Sequence, residues 1–181
     1  MLPSLPTARL LLAPLAEHHL NPFRNVAGER SVADTTISVP HPLTEAAARA
    51  WILQAMTESA AGRGVHFAVL LGRGDGAFIG YAGIRGIDRE HNAGDLSFWL
   101  GAAYGGNGLA TEAARAVVDF GFADLQLNRI CAYHMVRNPA SGRVLAKLGF
   151  QREGCLRQKA RKWGVYEDVL VWARLKDDLA G

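Results

Sequence analysis

The sequence has little of what marks a metal centre, a disulfide framework or a membrane segment. Its 181 residues include two cysteines, Cys131 and Cys155, and no Cys-x-x-Cys or His-Glu-x-x-His motif. The six histidines (His18, His19, His41, His66, His91 and His134) show no metal-ligand spacing, so no metal site is expected. Both cysteines lie in apolar, strand-like stretches. That reads as two buried free thiols in a cytoplasmic protein rather than a bridge. No apolar run reaches the roughly 18 residues that span a bilayer. Residues 1–6 lack the positive n-region and apolar core of a signal peptide. A cytoplasmic location with no membrane partner is the expectation. The absence of a Gly-x-Ser-x-Gly elbow removes one class of hydrolase. No repeat, linker or low-complexity segment occurs. The chain therefore reads as one domain over residues 1–181, long enough for a sizeable core.

Nor does charge point strongly to a partner. The formal net charge is +3. Part of the excess gathers at Arg152, Arg157, Lys159, Arg161 and Lys162, near Tyr133, Trp163 and Tyr166. Basic residues interleaved with aromatics fit nucleic acid, but a solvated hairpin rim explains them as well, and nucleic acid is not expected as a partner.

What is present is a mixed pattern of strands and helices. Residues 9–12 read as a first strand, followed by a polar helix near 17–27. Thr44 is placed to cap a helix in which Ala48, Trp51, Ile52, Ala55 and Met56 form an apolar stripe. Residues 66–71 and 78–84 read as a hairpin around the glycine-rich turn 72–76. Residues 95–100 read as a fourth strand, with Asp95, Ser97 and Trp99 on one face and Leu96, Phe98 and Leu100 on the other. A helix is predicted from Thr111 to about Phe122, then a strand over 129–136. Another helix follows over 139–147, with Pro139 first and Gly149 just beyond its end. Two final strands cover 150–156 and 167–175. A meander followed by strand–helix alternation predicts an α/β (α+β) fold, a mixed sheet with helices on both faces.

The most informative stretch lies after the fourth strand, where Gly105-Gly106-Asn107-Gly108-Leu109-Ala110-Thr111 opens into an alanine-rich helix. A glycine-rich entry to a helix exposes several backbone N–H groups at the positive end of the helix dipole, which favours an anion. The loop carries no Lys or Arg, so a phosphate there would be held mainly by main chain. A P-loop fails because Asn107 and Gly108 stand where Lys and Ser/Thr are needed. A dinucleotide fingerprint fails for want of its third glycine.

The loop resembles the acyl-CoA pyrophosphate loop of the GNAT acetyltransferase superfamily, Gln/Arg-x-x-Gly-x-Gly/Ala, with Gly105 where Gln or Arg is usual. Thr7-Ala8-Arg9-Leu10, Thr111-Glu112-Ala113, Leu127-Asn128-Arg129-Ile130, Asn138-Pro139-Ala140-Ser141, Leu148-Gly149-Phe150 and Gly164-Val165-Tyr166-Glu167-Asp168 are similar to motifs of its RimJ/RimL-like branch, in the same order. That resemblance implies the GNAT fold. Its seven-stranded, mostly antiparallel sheet splays between the fourth and fifth strands. It also implies direct transfer of acetyl from acetyl-CoA to a primary amine, a protein or peptide N-terminus as in ribosomal-protein acetyltransferases. A small-molecule amine (polyamine, aminoglycoside or amino acid) is the alternative acceptor, and a non-catalytic CoA-binding module the third reading. A homodimer is the family's habit.

Carried onto this chain, the resemblance assigns CoA binding to Phe98, Trp99, Leu100, Gly105, Gly106, Asn107, Gly108, Leu109, Ala110, Thr111, Asn138, Ser141, Arg143 and Lys147. The Leu100 N–H is placed to serve as an oxyanion donor. Asn138 meets the pantetheine arm or simply caps its helix. Asp95 is the first candidate base, with a cross-strand salt bridge as its alternative. Glu112 is the second candidate base, though at a helix start it also complements the dipole. His66 and His134 read as structural. Glu167 and Asp168 could attract a cationic amine. Where many members carry a Tyr, this chain has Leu145, which cannot donate a proton. Ser141, one turn after Asn138, is the candidate donor to the CoA sulfur, unless it is an ordinary surface serine. Arg143 and Lys147 could meet phosphate or merely keep the surface soluble.

Overall fold

Alternating apolar residues set the strands, and the computed structural model, which describes residues 2–72 and 76–180, assembles them into one sheet. The strands are β1 (Leu5–Pro6), β2 (Leu10–Pro14), β3 (Val65–Leu71), β4 (Phe78–Asp88), β5 (Ala93–Leu100), β6 (Arg129–Met135), β7 (Gln151–Lys162) and β8 (Val165–Leu175). Their order is β1-β2-β3-β4-β5-β6-β8-β7. Every adjacent pair is antiparallel except β5 with β6. The seven predicted strands are all present, and the two-residue β1 adds an eighth at the edge beside β2. Most of the predicted hairpin turn, residues 73–75, lies outside the described residues. Its closure is visible in the bond from Leu71 N to Ala77 O, 2.8 Å.

Five α-helices accompany the sheet among the described residues: α1 (Leu20–Ala27), α2 (Arg30–Thr35), α3 (Glu45–Ala60), α4 (Leu109–Ala123) and α5 (Pro139–Lys147). Thr44 caps α3 by accepting from Ala47 N at 3.2 Å. Pro139 begins α5 as expected, and Gly149 follows it with φ +78°. The sequence did not disclose α2, whose six residues lack an apolar repeat. The final hairpin is longer than the apolar pattern implies. β7 runs on to Lys162 through irregularities at Arg152/Gly154 and Leu156/Ala160, and only Ala160 and Lys162 of its residues are buried.

Each face of the sheet packs its own core. One holds Leu96 with Val117, Val118 and Phe120 of α4, and Phe98 and Leu100 pack against it. The other holds Trp99 with Phe23 of α1 and Ile52 of α3. The alternation predicted for β5 is thus what the structure shows. Two expectations need correcting. Cys131 and Cys155 are free, but Cys131 is only half-buried and Cys155 is exposed, because β7 is an edge strand with solvent beside it. Lys162 is buried rather than part of a solvated rim, and its Nζ donates to Val39 O at 2.6 Å. No described helix is long and apolar enough to cross a membrane.

Candidate active site

Parallel pairing of β5 with β6 runs from Ala93↔Arg129 to Leu96↔Ala132 and stops there. Beyond it the strands part. Gly101 N donates to Ile79 O on the β4 side at 2.8 Å. Since successive residues of a strand turn their N–H groups to opposite sides, Phe98 and Leu100 present theirs to the opening left by β6. The Leu100 N–H predicted to serve the oxyanion therefore faces the gap.

At the far end of β5 the glycine loop enters α4. Gly106 and Gly108 have φ of +79° and +77°, in the left-handed region where an L side chain is strained. Gly108 is the N-cap, and no side chain caps the helix. The first intrahelical bond runs from Glu112 N to Gly108 O, 3.0 Å. Leu109, Ala110 and Thr111 thus have N–H groups with no partner inside the helix. These donors and the helix dipole favour an anion at this end.

The loop is held from outside by a residue not assigned to the site from sequence. Arg9 donates from Nη1 to Asn107 O at 2.9 Å and from Nε to Glu112 Oε2 at 2.7 Å. Its main-chain N–H reaches Glu112 Oε1 at 2.8 Å, and the Thr7 hydroxyl lies 2.6 Å from that oxygen. Burial pushes the Glu112 carboxyl up, but the Thr7 and Arg9 donors outweigh it and hold it below its ordinary range. Ionised and tied down, Glu112 is a tether and a poor base. The motifs at 7–10 and 111–113 are halves of one clamp.

Two hollows meet at the splay. The first hollow, about 440 Å³, is lined by every candidate CoA residue except Asn107, whose carbonyl is engaged by Arg9. Arg143 and Lys147 stand exposed at its rim. The second hollow, about 740 Å³, includes Glu58, Arg85, Asp95, Tyr133, His134 and Lys159 in its wall. Thr35, Thr36, Phe98, Trp99 and Ser141 line both.

At that junction Asn138 caps α5, with Oδ1 accepting from Ser141 N at 3.4 Å. Its Nδ2 donates to Thr35 O at 3.1 Å and to Ser141 Oγ at 2.9 Å. Both amide hydrogens are thus engaged, and one lone pair of Oδ1 remains for a pantetheine N–H. Ser141 Oγ already accepts, so its own hydrogen is free to turn into the junction. Leu145 is buried in the core and offers no proton.

In the second hollow, Asp95 stands directly opposite Arg85 in the β4–β5 register, yet the two form no ion pair within 4 Å. The cross-strand salt bridge weighed from sequence is therefore not made. Burial raises the Asp95 carboxyl above its usual range, and Arg85 and Arg129 only partly offset this. His134 is buried. Trp172 Nε1 donates to its Nε2 at 3.0 Å, so the proton sits on Nδ1 and goes to Met135 O at 2.9 Å. Glu167 accepts from Arg137 Nε at 2.6 Å, and Asp168 accepts from Gln158 N at 2.8 Å. Glu167 thus ties the final hairpin to the loop before α5, Asp168 acts within the hairpin, and neither lines a hollow. The hairpin tip is latched to the segment after α1, since Trp163 Nε1 donates to Asp34 Oδ1 at 2.6 Å. Sequence reasoning missed Glu58, which lies off the apolar stripe of its helix.

Comparison with known proteins follows the same lines. Residues 9–151 match the profile of the acetyltransferase (GNAT) domain. An uncharacterised N-acetyltransferase, p20 of Bacillus licheniformis, is 33% identical over 141 residues, 77% of this chain and 79% of that protein. A ribosomal-protein-serine acetyltransferase of Escherichia coli (strain K12) is 29% identical over 99 residues, a match spanning 55% of each. Among solved structures, RimL, a ribosomal L7/L12 α-N-protein acetyltransferase in complex with CoA, superposes with a TM-score of 0.89 over 97% of this chain and 99% of that one. At 18% identity that likeness is one of fold.

Proposed function

The chain belongs to the GNAT acetyltransferase family, and from that premise we propose that it transfers acetyl from acetyl-CoA directly to the N-terminal amine of a protein or peptide. The observation that carries this reading is the meeting of two hollows at Phe98, Trp99 and Ser141, where the sheet opens. One hollow has unpaired N–H donors suited to pyrophosphate; the other has the charged side chains that an amine needs. Relatives that act on ribosomal proteins support the choice of acceptor.

In this reading the N–H groups of the loop and of the first turn of α4 grip the pyrophosphate, and Arg143 and Lys147 face the remaining phosphate. Main-chain groups of Phe98 and Leu100 pair with the pantetheine arm along the open edge of β5. The Leu100 N–H donates to the thioester oxygen, a contribution of about 3 kcal/mol when the donor is aimed at the developing oxyanion. The amine nitrogen attacks the carbonyl carbon, the C–S bond breaks, and the amine's surplus proton must leave. Asp95, its carboxyl raised by burial, is the acceptor for that proton. It lies about 16 Å down the strand from Leu100 at roughly 3.3 Å per residue, so the proton reaches it through water in the cleft. Ser141 donates a hydrogen bond to the departing thiolate.

A small-molecule amine is the second reading. It is favoured by the latch of Lys162 on Val39 and Trp163 on Asp34, which ties together two stretches that wall the acceptor hollow, 35–39 and 159–160. Acetyl-CoA with a panel of N-terminal peptides, polyamines, aminoglycosides and amino acids, read by thiol release, separates the two. Faster turnover with peptides is the expected result, and preference for a small amine reverses the order. No turnover on any amine together with no CoA binding by calorimetry overturns the enzyme.

A further inference from the structure

A chain of hydrogen bonds begins at the wall of the acceptor hollow and ends in the buried core. Glu58 on α3 lines the hollow, with its side chain 20% exposed. Its Oε1 accepts from Gln54 Nε2 at 2.8 Å, and its Oε2 lies 3.0 Å from His66 Nε2. Behind it, His66 Nδ1 lies 2.8 Å from the Tyr81 hydroxyl, and both residues are buried. The described residues give that hydroxyl no other partner, so it donates to Nδ1. His66 then carries its proton on Nε2 and donates to Glu58. Trp51 packs edge-on against both rings, with centroids 6.1 Å from His66 and 4.9 Å from Tyr81. One carboxylate is thus fixed by two N–H donors and backed by a histidine that cannot turn.

We propose that Glu58 is the ammonium site of the acceptor hollow, taking the protonated amine of the substrate as it arrives, with His66 and Tyr81 as positioning residues behind it. The proposal rests on the acetyltransferase reading above. It assigns to the acceptor a primary amine that is cationic at neutral pH and presents its –NH₃⁺ to a fixed carboxylate. Such a charge-assisted contact is among the stronger polar interactions. Other elements bring charged or titratable groups to the same hollow: Arg85 from β4, Asp95 from β5, Tyr133 and His134 from β6, and Lys159 from β7. Arg85 pairs with neither carboxylate within 4 Å, so neither is neutralised by contact.

The two carboxylates sit in opposed environments. Burial pushes Glu58 up, but the Gln54 hydrogen bond, His66 and Arg85 together hold it below the ordinary range. Burial lowers His66, which stays neutral at physiological pH although Glu58 pulls the other way. At Asp95 burial prevails and the carboxyl is raised. When the environments of two carboxyls push their affinities for a proton apart, their roles divide. Glu58 stays ionised and holds the cation until one proton passes to water in the cleft; the neutral amine then attacks, with Asp95 the better acceptor for the second proton, released on acetyl transfer.

The test is Glu58→Gln, which keeps an acceptor for the histidine N–H but removes the charge, assayed with a short peptide carrying a free N-terminal amine. Such an amine has a pKa of about 8, so it is cationic at pH 6.5 and neutral at pH 9.5. The expected result is a KM at least about tenfold above wild type at pH 6.5, a ratio near 1 at pH 9.5, and an unchanged Kd for acetyl-CoA. A ratio equal at the two pH values marks a structural role and overturns the proposal, as does an unchanged KM. Should Glu58→Gln lose acetyl-CoA binding through misfolding, Gln54→Ala on the exposed helix surface takes its place, with a several-fold KM rise and the same pH pattern expected and no rise overturning the idea. Wild-type protein that neither turns over the peptide nor binds acetyl-CoA refutes the acetyltransferase reading instead.

Discussion

On the side of Ser141 proposed for the cofactor, the groups facing the hollow are mainly main-chain N–H donors, supplied by one continuous stretch from β5 through the glycine loop into α4, with Asn138, Arg143 and Lys147 beside them. On the acceptor side they are side chains, Glu58, Arg85 and Asp95, from three elements that the sheet brings together. Main-chain recognition is indifferent to most substitutions but intolerant of a wrong backbone conformation. Side-chain recognition inverts this, since one substitution removes a charge and leaves the backbone alone. The two hollows should therefore fail separately, and each variant below sharpens or breaks that separation.

Asp95→Asn has the largest expected effect. A positioned base contributes about 10²- to 10⁴-fold, so kcat should fall at least about 100-fold while Kd for CoA stays at the wild-type value. The pH profile gives the sign. Activity needs the carboxylate, so it declines as pH falls through a pKa raised by burial, and the variant should lose that acidic limb. A wild-type limb in the variant assigns it to another group, and a changed CoA affinity breaks the separation of the hollows.

Gly108→Val is the counterpart on the other side. At φ +77° the residue is left-handed, and a Cβ there would lie 3.6 Å from Arg9 Nη2, so space is adequate and conformation is the obstacle. A side chain in that region costs about 1–2 kcal/mol, which the helix start relieves by shifting its N–H donors. Losing two hydrogen bonds to a charged group, at about 1.5 kcal/mol each, raises Kd for CoA roughly 100-fold. Thermal unfolding should remain cooperative. A variant that binds CoA normally would show that the loop is only a turn.

Arg9→Ala tests the clamp. Its ion pair with Glu112 is 49% exposed on the Arg side, so it is screened and contributes about 1 kcal/mol. The loop also loses its tie at Asn107 O. Kd for CoA should rise about fivefold, with little change in salt dependence. A much larger rise that grows with falling ionic strength would mean that Arg9 touches phosphate itself.

The same division governs what the sequence disclosed. The glycine loop, the helix opening at Pro139 and the faces of β5 were legible because each is local: a conformation, a cap or an alternation read within a few residues. Glu58, His66 and Tyr81 were not, because their contact is made by α3 lying across β3 and β4. His66 was recognised as structural, but its two partners lie 8 and 15 residues away. Arg9 and Glu112 were each visible in a motif, and nothing local joined residues 103 apart. The extension of β7 to Lys162 escaped for a related reason. An edge strand whose side chains are mostly exposed, and whose buried residues are an alanine and a lysine, carries no apolar period to read.

Ser141→Ala has the smallest expected effect, and it falls on the junction where the comparison must give way. The hydroxyl lines both hollows, and Asn138 Nδ2 occupies its lone pair at 2.9 Å, so its hydrogen is the part left for the CoA sulfur. Only part of the thiolate charge has developed in the transition state, so the hydrogen bond contributes about 1 kcal/mol, or roughly fivefold in kcat. The alanine also leaves one Asn138 hydrogen without its acceptor, in a residue that is 8% exposed. A pure leaving-group role predicts that the loss of kcat shrinks with an acyl donor whose thiolate is more stable, such as an aryl thioester. Loss through a disordered cap would be the same with both donors and would bring a lower melting temperature. The first pattern places Ser141 at the reacting sulfur, and the second leaves it as part of the α5 cap.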